Sequence, residues 1–308
     1  YALAMRTTRD PWVNMLRTTV AAFAAGVGGA DTVEVLPFDS AIPGGHPGSG
    51  PAFARRIARN TQLLLLEESH IGRVIDPAGG SWYVEDLTET LAAQAWSNFQ
   101  DIESRGGFNH ARDLIAEQIE AVFSRRADDI AHRRTAVTGV NEFPNLDEAP
   151  LPQAVPSGVV ERYAAAFEAL RDRSDAHLAR TGARPKVLLL PLGPLAENNI
   201  RTTFAANLLA SGGIEAVNPG TVEVSTTAGT VERAGTTVAV ICGTDARYGL
   251  EVAAMAAAAR AAGCRLIYLA GPQKAVADLP EAQRPDSYLT AKVDAVEALS
   301  TLLTRLGA

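Results

Sequence analysis

The feature that most constrains this chain is the rhythm of residues 186–308. Apolar runs of strand length occur at Lys186–Leu192, Ile214–Val217, Thr236–Cys242, Arg265–Leu269 and Ser287–Leu289. Helical periodicity fills the intervals, most clearly at Leu250–Ala262 and Val293–Leu306. Five strands alternating with helices predict a flavodoxin-like, doubly wound α/β domain. Such sheets hold ligands outside the carboxyl ends of their strands, so the loop after the first strand is the place to look for one. That loop reads Gly193-Pro194-Leu195-Ala196-Glu197-Asn198-Asn199. A phosphate cradle needs several glycines whose N–H groups converge on the anion, and often a lysine. Here one glycine stands beside a proline that removes a donor and a glutamate that repels phosphate, so nucleotide binding is disfavoured.

Upstream the pattern differs. Pro11–Val27 carries Val13, Leu16, Val20 and Phe23 at helical spacing, with Asp10 placed to cap it. Gly26, Gly28 and Gly29 follow helical residues, so they read as a helix stop rather than a dinucleotide fingerprint, which follows a strand. The stretch "DTVEVLPFD" (Asp31–Asp39) predicts a short strand, the glycine- and proline-rich segment after it a loop, and Pro51 the opening of a helix to about Ser69. This alternation is that of β/α repeats. Beyond it lie two long helices, Glu85–Arg105 and His110–Arg134, broken by Gly106-Gly107. A proline-rich connector over 138–158 and a helix over Val159–Ala179 follow.

Composition removes several classes. The chain has 308 residues, 47% of them apolar, enough for about two domains with substantial cores. A formal charge of −7, with the cations scattered, argues against a nucleic-acid surface. The pair Arg133-Arg134 reads as a solvated helix end. Two cysteines, Cys242 and Cys264, support neither a disulfide framework nor a thiolate metal site, so both read as core thiols in a reducing cytoplasm. No apolar run reaches the ~18 residues of a membrane helix. Because helical patterning begins so near Tyr1, the chain is expected to start inside a domain, as part of a longer protein.

Three segments carry a family resemblance: "RIARNTQLLLLEES" (Arg56–Ser69), "DPAGGSWYVE" (Asp76–Glu85) and, more loosely, "DPWVNMLRTTVAAFAAGVGG" (Asp10–Gly29). With the domain order, they make the chain similar to the methylmalonyl-CoA mutases. The resemblance implies three parts: the last units of a substrate (β/α)8 barrel over 1–84, a helical linker over 85–182, and a degenerate cobalamin-binding-type domain over 183–308. Cobalamin-binding members carry Asp-x-His-x-x-Gly in the first loop, where the imidazole binds cobalt and the carboxylate orients it. Aligned on Gly193, this chain has Leu195, Glu197 and Ile200 at those positions. The family's Ser-x-Leu appears as Cys242-Gly243-Thr244 and its Gly-Gly as Ala270-Gly271, so Cys242, Thr244, Ala270 and Gly271 are expected to line a vestigial cleft. In the barrel, Glu34 stands where the family has a catalytic His.

The resemblance therefore implies no catalytic residue, cofactor or metal on this chain. It implies a non-catalytic small subunit that assembles with the large catalytic subunit, which would hold the adenosylcobalamin. Two alternatives are an active mutase that binds cobalamin without an imidazole and a CoA- or nucleotide-binding module.

The five histidines, His46, His70, His110, His132 and His177, all precede residue 186, so no shift of register supplies a ligand to the last domain. His46 and His70 read as loop and capping residues, and the other three as members of solvated helix faces. Glu197 reads as a carboxylate favoured by the positive end of a helix. Trp12, Trp82 and Trp96 read as packing anchors and Asp76 as a turn former before Pro77.

Overall fold

The computed structural model describes residues 3–151 and 160–308. Part of the connector, and Val159 at the head of an expected helix, lie outside the described residues. Contacts divide the chain into two compact units, Tyr1–Asp128 with Gly158–Tyr163 and Asp129–Ser157 with Ala164–Ala308.

In the first unit α1 spans Val13–Val27 and α2 spans Pro51–Leu63. Pro51 takes the first helical position of α2, where its missing N–H costs nothing. The helical path then continues as one π-type turn, Leu64–Glu68, closed by Ser69 N–H on Leu64 O at 2.9 Å. Helix α1 starts a turn after the expected cap. Asp10 lies at φ 43° and Trp12 is the capping residue, without a side-chain bond. At its other end Gly28 caps the helix and Gly29 turns at φ 77°, the stop expected of that cluster.

The segment Asp31–Asp39 is not a strand. Among the described residues no strand pairs with it; its carbonyls at Val33, Leu36, Pro37 and Phe38 accept from the side chains of Gln62, Arg6 and Asn14 instead, and a strand forms only when a neighbouring strand takes the N–H and C=O groups.

Two long helices follow, α3 (Trp82–Ser104) and α4 (Arg112–Ala131), the latter passing into the second unit. Asp76 closes the turn before α3, its carbonyl accepting from Gly79 N–H at 3.2 Å. Helix α3 has no buried residue, and Trp82 and Trp96 are 92% and 61% exposed. These two are therefore not buried packing anchors, since no other element among the described residues covers them. Trp96 stacks on Phe99, while Trp12 packs on Phe38 and His46.

The second unit begins where α4 ends. Arg133, at φ 55°, turns the chain. Its guanidinium pairs with Glu142 at 2.8 Å, donates to Asn141 O at 2.9 Å and faces the Phe204 ring, so it is not the solvated residue expected. Only its neighbour Arg134, half exposed and paired with Asp129, fits that description. The next helix, α5, spans Ala165–Thr181, starting later than the apolar pattern indicates. There His177 reaches Gly307 O at 3.2 Å and Arg173 bonds Ser300, Thr304 and Ala308 O, fastening the end of the chain.

The remainder is a five-stranded parallel sheet in the order β2-β1-β3-β4-β5. Its elements are β1 (Lys186–Pro191), α6 (Leu195–Ser211), β2 (Glu215–Val217), α7 (Thr227–Ala234), β3 (Val238–Cys242), α8 (Asp245–Ala261), β4 (Leu266–Leu269), β5 (Ser287–Tyr288) and α9 (Ala295–Arg305). Strand periodicity sorts the side chains onto two faces. Val187, Leu189, Val238, Val240 and Cys242 join α5, α6 and α9 in one core, while Leu188, Leu190, Ala239 and Ile241 join α7 and α8 in the other. Burial on both faces explains why β1 and β3 read as unbroken apolar runs. The expected flavodoxin-like sheet is present, with strand positions shifted by at most two residues. Helix α8 begins five residues before the apolar pattern places it, and that difference bears on the site.

Candidate functional site

Sheet order reverses between β1 and β3, so α6 and α8 leave the sheet from adjacent strands on opposite sides of the switch point, where ligands of such folds bind. The loop after β1 is tight. Gly193 sits at φ 70° and Pro194 is extended at the helix cap. Asn198, buried one turn into α6, donates to Gly193 O at 2.8 Å, and Thr221 Oγ1 donates to the same oxygen at 2.7 Å. The loop's own carbonyl is therefore already used.

Across the switch point the first turns of α6 and α8 are joined by two ion pairs. Arg247 Nε donates to Glu197 Oε2 at 2.5 Å, and Arg201 Nη2 lies 3.1 Å from Asp245 Oδ1. Arg247 is also bonded to Glu251 one turn on, at 2.6 Å. The hydrogen bond from Arg247 holds the Glu197 carboxyl below the ordinary carboxylate range, and the same bond raises Arg247. Glu197 is thus more than a dipole partner: it is held by a cation from the neighbouring helix. Leu195 and Ile200 point away, 71% and 79% exposed, and fill nothing.

The loops after β3 and β4 meet around one ring. Tyr248, completely buried, accepts from Gly243 N–H at 2.8 Å and donates to Ala270 O at 2.7 Å. A methyl group built on Gly271 would stand 2.8 Å from Tyr248 Cε2, and one on Gly243 would stand 3.3 Å from Cε1. Both glycines leave room for the phenol. Burial pushes its hydroxyl well above the usual phenol range. Thr244 caps α8 through Arg247 N–H at 3.3 Å. Cys242 faces the core, its thiol also raised by burial, and Cys264 is raised by burial likewise. The structure thus brings Ala270 and Gly271 onto the Tyr248 ring, uses Thr244 as a cap and turns Cys242 inward.

The apolar pattern places the start of this helix at Leu250 and so leaves out both Arg247 and Tyr248. Thr244-Asp245 is a capping signal that moves the start back and places both residues on the first two turns of α8. A lone tyrosine in an alanine-rich helix, with glycines following both neighbouring strands, was the remaining clue.

In the first unit Glu34 is exposed on the extended segment. With Met5, Arg6, Ala22 and Ala25 it lines a cavity of about 450 Å³. Among the described residues no group of three or more His, Cys, Asp or Glu could hold a metal ion, and no helix is long and apolar enough to cross a membrane. His46 accepts from Gly48 N–H within its own loop, His70 turns the chain at φ 54°, and His110 bonds Gly106 O at 2.9 Å.

Comparison with known proteins agrees with the pattern of motifs. The family profile described as Methylmalonyl-CoA mutase matches residues 2–184, ending just before β1. Over its whole length the chain is 70% identical to a "Probable methylmalonyl-CoA mutase small subunit" of Mycobacterium bovis, covering 50% of that protein. Over 98% of its length it is 49% identical to the "Methylmalonyl-CoA mutase small subunit" of Streptomyces virginiae, covering 49% of it. A "Methylmalonyl-CoA mutase" of Escherichia coli is 37% identical over 44% of the chain, which amounts to 19% of that protein. The chain spans about half the length of the small subunits it matches. From the segments, the profile and these identities together, the chain belongs to the methylmalonyl-CoA mutase family.

Proposed function

We propose that this chain is the carboxyl-terminal half of the small subunit of an adenosylcobalamin-dependent methylmalonyl-CoA mutase. In this reading it acts in assembly and stabilisation of the large subunit, in the cytoplasm, while the large subunit carries the cofactor and the isomerisation of methylmalonyl-CoA to succinyl-CoA. The observation that carries the reading is the pair of bridges Glu197–Arg247 and Arg201–Asp245, which join the two helices flanking the switch point where an open loop with an imidazole would be needed. Cobalt asks for a neutral nitrogen donor free to bind it. Here the aligned side chain is a carboxylate held by arginine, and residues 186–308 contain no histidine. The residues present do not fit the cofactor.

The other parts support the same reading. Residues 1–84 would be the last units of the substrate barrel, whose eight β/α units take ~250 residues. A strand-like sequence at 31–39 that finds no partner strand among the described residues is the behaviour expected of a barrel piece. Glu34 would leave the substrate site without its imidazole, and a carboxylate there would repel an acyl-CoA that carries a carboxylate of its own. Residues 85–182 would be the linker, and the uncovered side of α3, with Trp82, Leu91 and Trp96, offers apolar surface for assembly.

The test uses the full-length small subunit co-expressed with its large subunit and desalted after exposure to adenosylcobalamin. The expected result is a stable 1:1 complex holding one corrinoid. Two corrinoids per complex would establish the active-mutase reading instead. Turnover by the small subunit alone would do the same. A small subunit that stays apart from its partner and binds CoA esters in calorimetric titration would favour a CoA-binding module.

A further inference from the structure

The absence of an imidazole explains why cobalt would not be gripped, but it does not explain why the lobe closes. Beside the ion pairs over the turn after β1, the space between the next two loops is filled by one side chain. Tyr248 reaches from the first turns of α8 into the space between the loops after β3 and β4. There it does what a bound ligand does. Its ring edges meet two glycines: a built Cβ at Gly271 would stand 2.8 Å from the ring, where only glycine leaves room, and one at Gly243 would stand 3.3 Å from it, a tight contact. Its hydroxyl satisfies one backbone donor, Gly243 N–H, and one backbone acceptor, Ala270 O, neither of which has water within reach since Tyr248 and Ala270 are fully buried. Two glycine walls, one donor and one acceptor form a slot for a planar aromatic bearing one hydroxyl.

We propose that the space between Gly243 and Gly271 is a binding slot for a phenol-sized aromatic, and that the chain fills it with Tyr248 as an internal ligand. This rests on and deepens the reading of the lobe as closed to cofactor: closure comes from an occupant, so removing the occupant restores a site. A large-to-small substitution in a packed interior leaves a cavity when its walls cannot collapse, and such a cavity takes a small ligand of matching shape. Here the walls are the loops that follow β3 and β4, anchored where the strands end in the ladder, Cys242 paired with Pro191 and Leu269 with Ile241 and Tyr288.

The experiment compares the full-length small subunit with its Tyr248→Ala variant, using phenol as the probe. Tyr248→Ala is expected to melt several degrees lower and to bind one phenol saturably, with Kd about 0.1–1 mM for a ligand of this size. Binding to the parent chain should be at least tenfold weaker. Benzene, which lacks the hydroxyl, and cyclohexanol, which lacks the flat ring, should each bind the variant more weakly than phenol. If Tyr248→Ala does not fold alone, refolding in about 10 mM phenol provides the readout, since a ligand of the native state raises its population by mass action. Recovery there supports the slot and no recovery overturns it. A folded variant that takes no phenol, or takes it no better than the parent, also overturns it. None of these outcomes depends on subunit assembly or corrinoid content, so this inference and the assembly role can fail separately.

Discussion

The guanidinium of Arg247 stands directly against Gly193: a methyl group built on that glycine would overlap both Nε and Cζ. A residue from the helix after β3 thus lies over the turn after β1, and the same guanidinium holds Glu197. The turn that should admit a ligand is covered by a side chain from across the switch point.

Gly193→Ala meets two obstacles at once. The position has φ 70°, where an L-residue costs about 1–2 kcal/mol, and the methyl group would push Arg247 off Glu197. Urea denaturation should show a midpoint lowered accordingly with an unchanged slope. An unaltered midpoint would mean that the loop is free to rearrange.

Glu197 has its folded pKa depressed, first by the hydrogen bond from Arg247. Its contribution is therefore complete above the ordinary carboxylate range and is lost as pH falls through the lower, folded value. Glu197→Gln should be less stable than the parent at neutral pH, with the gap closing under acid. Thermal melts across an acid series would read this directly, and a gap that widens as pH falls would contradict the pairing.

Tyr248→Phe keeps the ring but leaves Gly243 N–H and Ala270 C=O without their partner. Leaving buried groups unsatisfied costs about 1–3 kcal/mol. Chemical denaturation should show that loss; a neutral substitution would indicate that water reaches the slot.

Cys242 is fully buried and its thiol is pushed up by burial, so it should resist alkylation in the native chain and react at once in denaturant. Counting modified thiols by mass spectrometry tests this, and rapid labelling of the folded chain would place Cys242 on an accessible wall.

Hydrogen exchange should separate the parts of the chain. Amides of β1, β3 and β4, paired on both sides in the sheet, are expected to exchange slowest, and those of 31–39 quickly, because no strand accepts from them. Equal protection over 1–84 and 186–308 would show that residues 1–84 are stable by themselves.

The strands of the sheet were legible because burial on two faces leaves β1 and β3 with no polar position to interrupt the run, and the periods of 2 and 3.6 separate them from their helices. The glycine that ends the first apolar run located the turn at Gly193, and the structure places it at φ 70° just after β1. Strand 31–39 failed for the opposite reason. Its alternation is correct for a strand, but a strand exists only with neighbours, and sequence pattern alone says nothing about whether they are there. Trp82 and Trp96 failed likewise: aromatic character marks a surface that seeks cover, not one that has found it.

Sequence by itself thus determined the parallel sheet, the membership of a family and the absence of histidine from residues 186–308, because each depends on residue type or local spacing. Only tertiary structure decided what lies at the switch point of the sheet. Arg247 reaches Glu197 across 50 positions and Tyr248 reaches Ala270 across 22, contacts set by how two helices leave neighbouring strands. Such contacts depend on side-chain direction from a packed scaffold, and no local pattern encodes it.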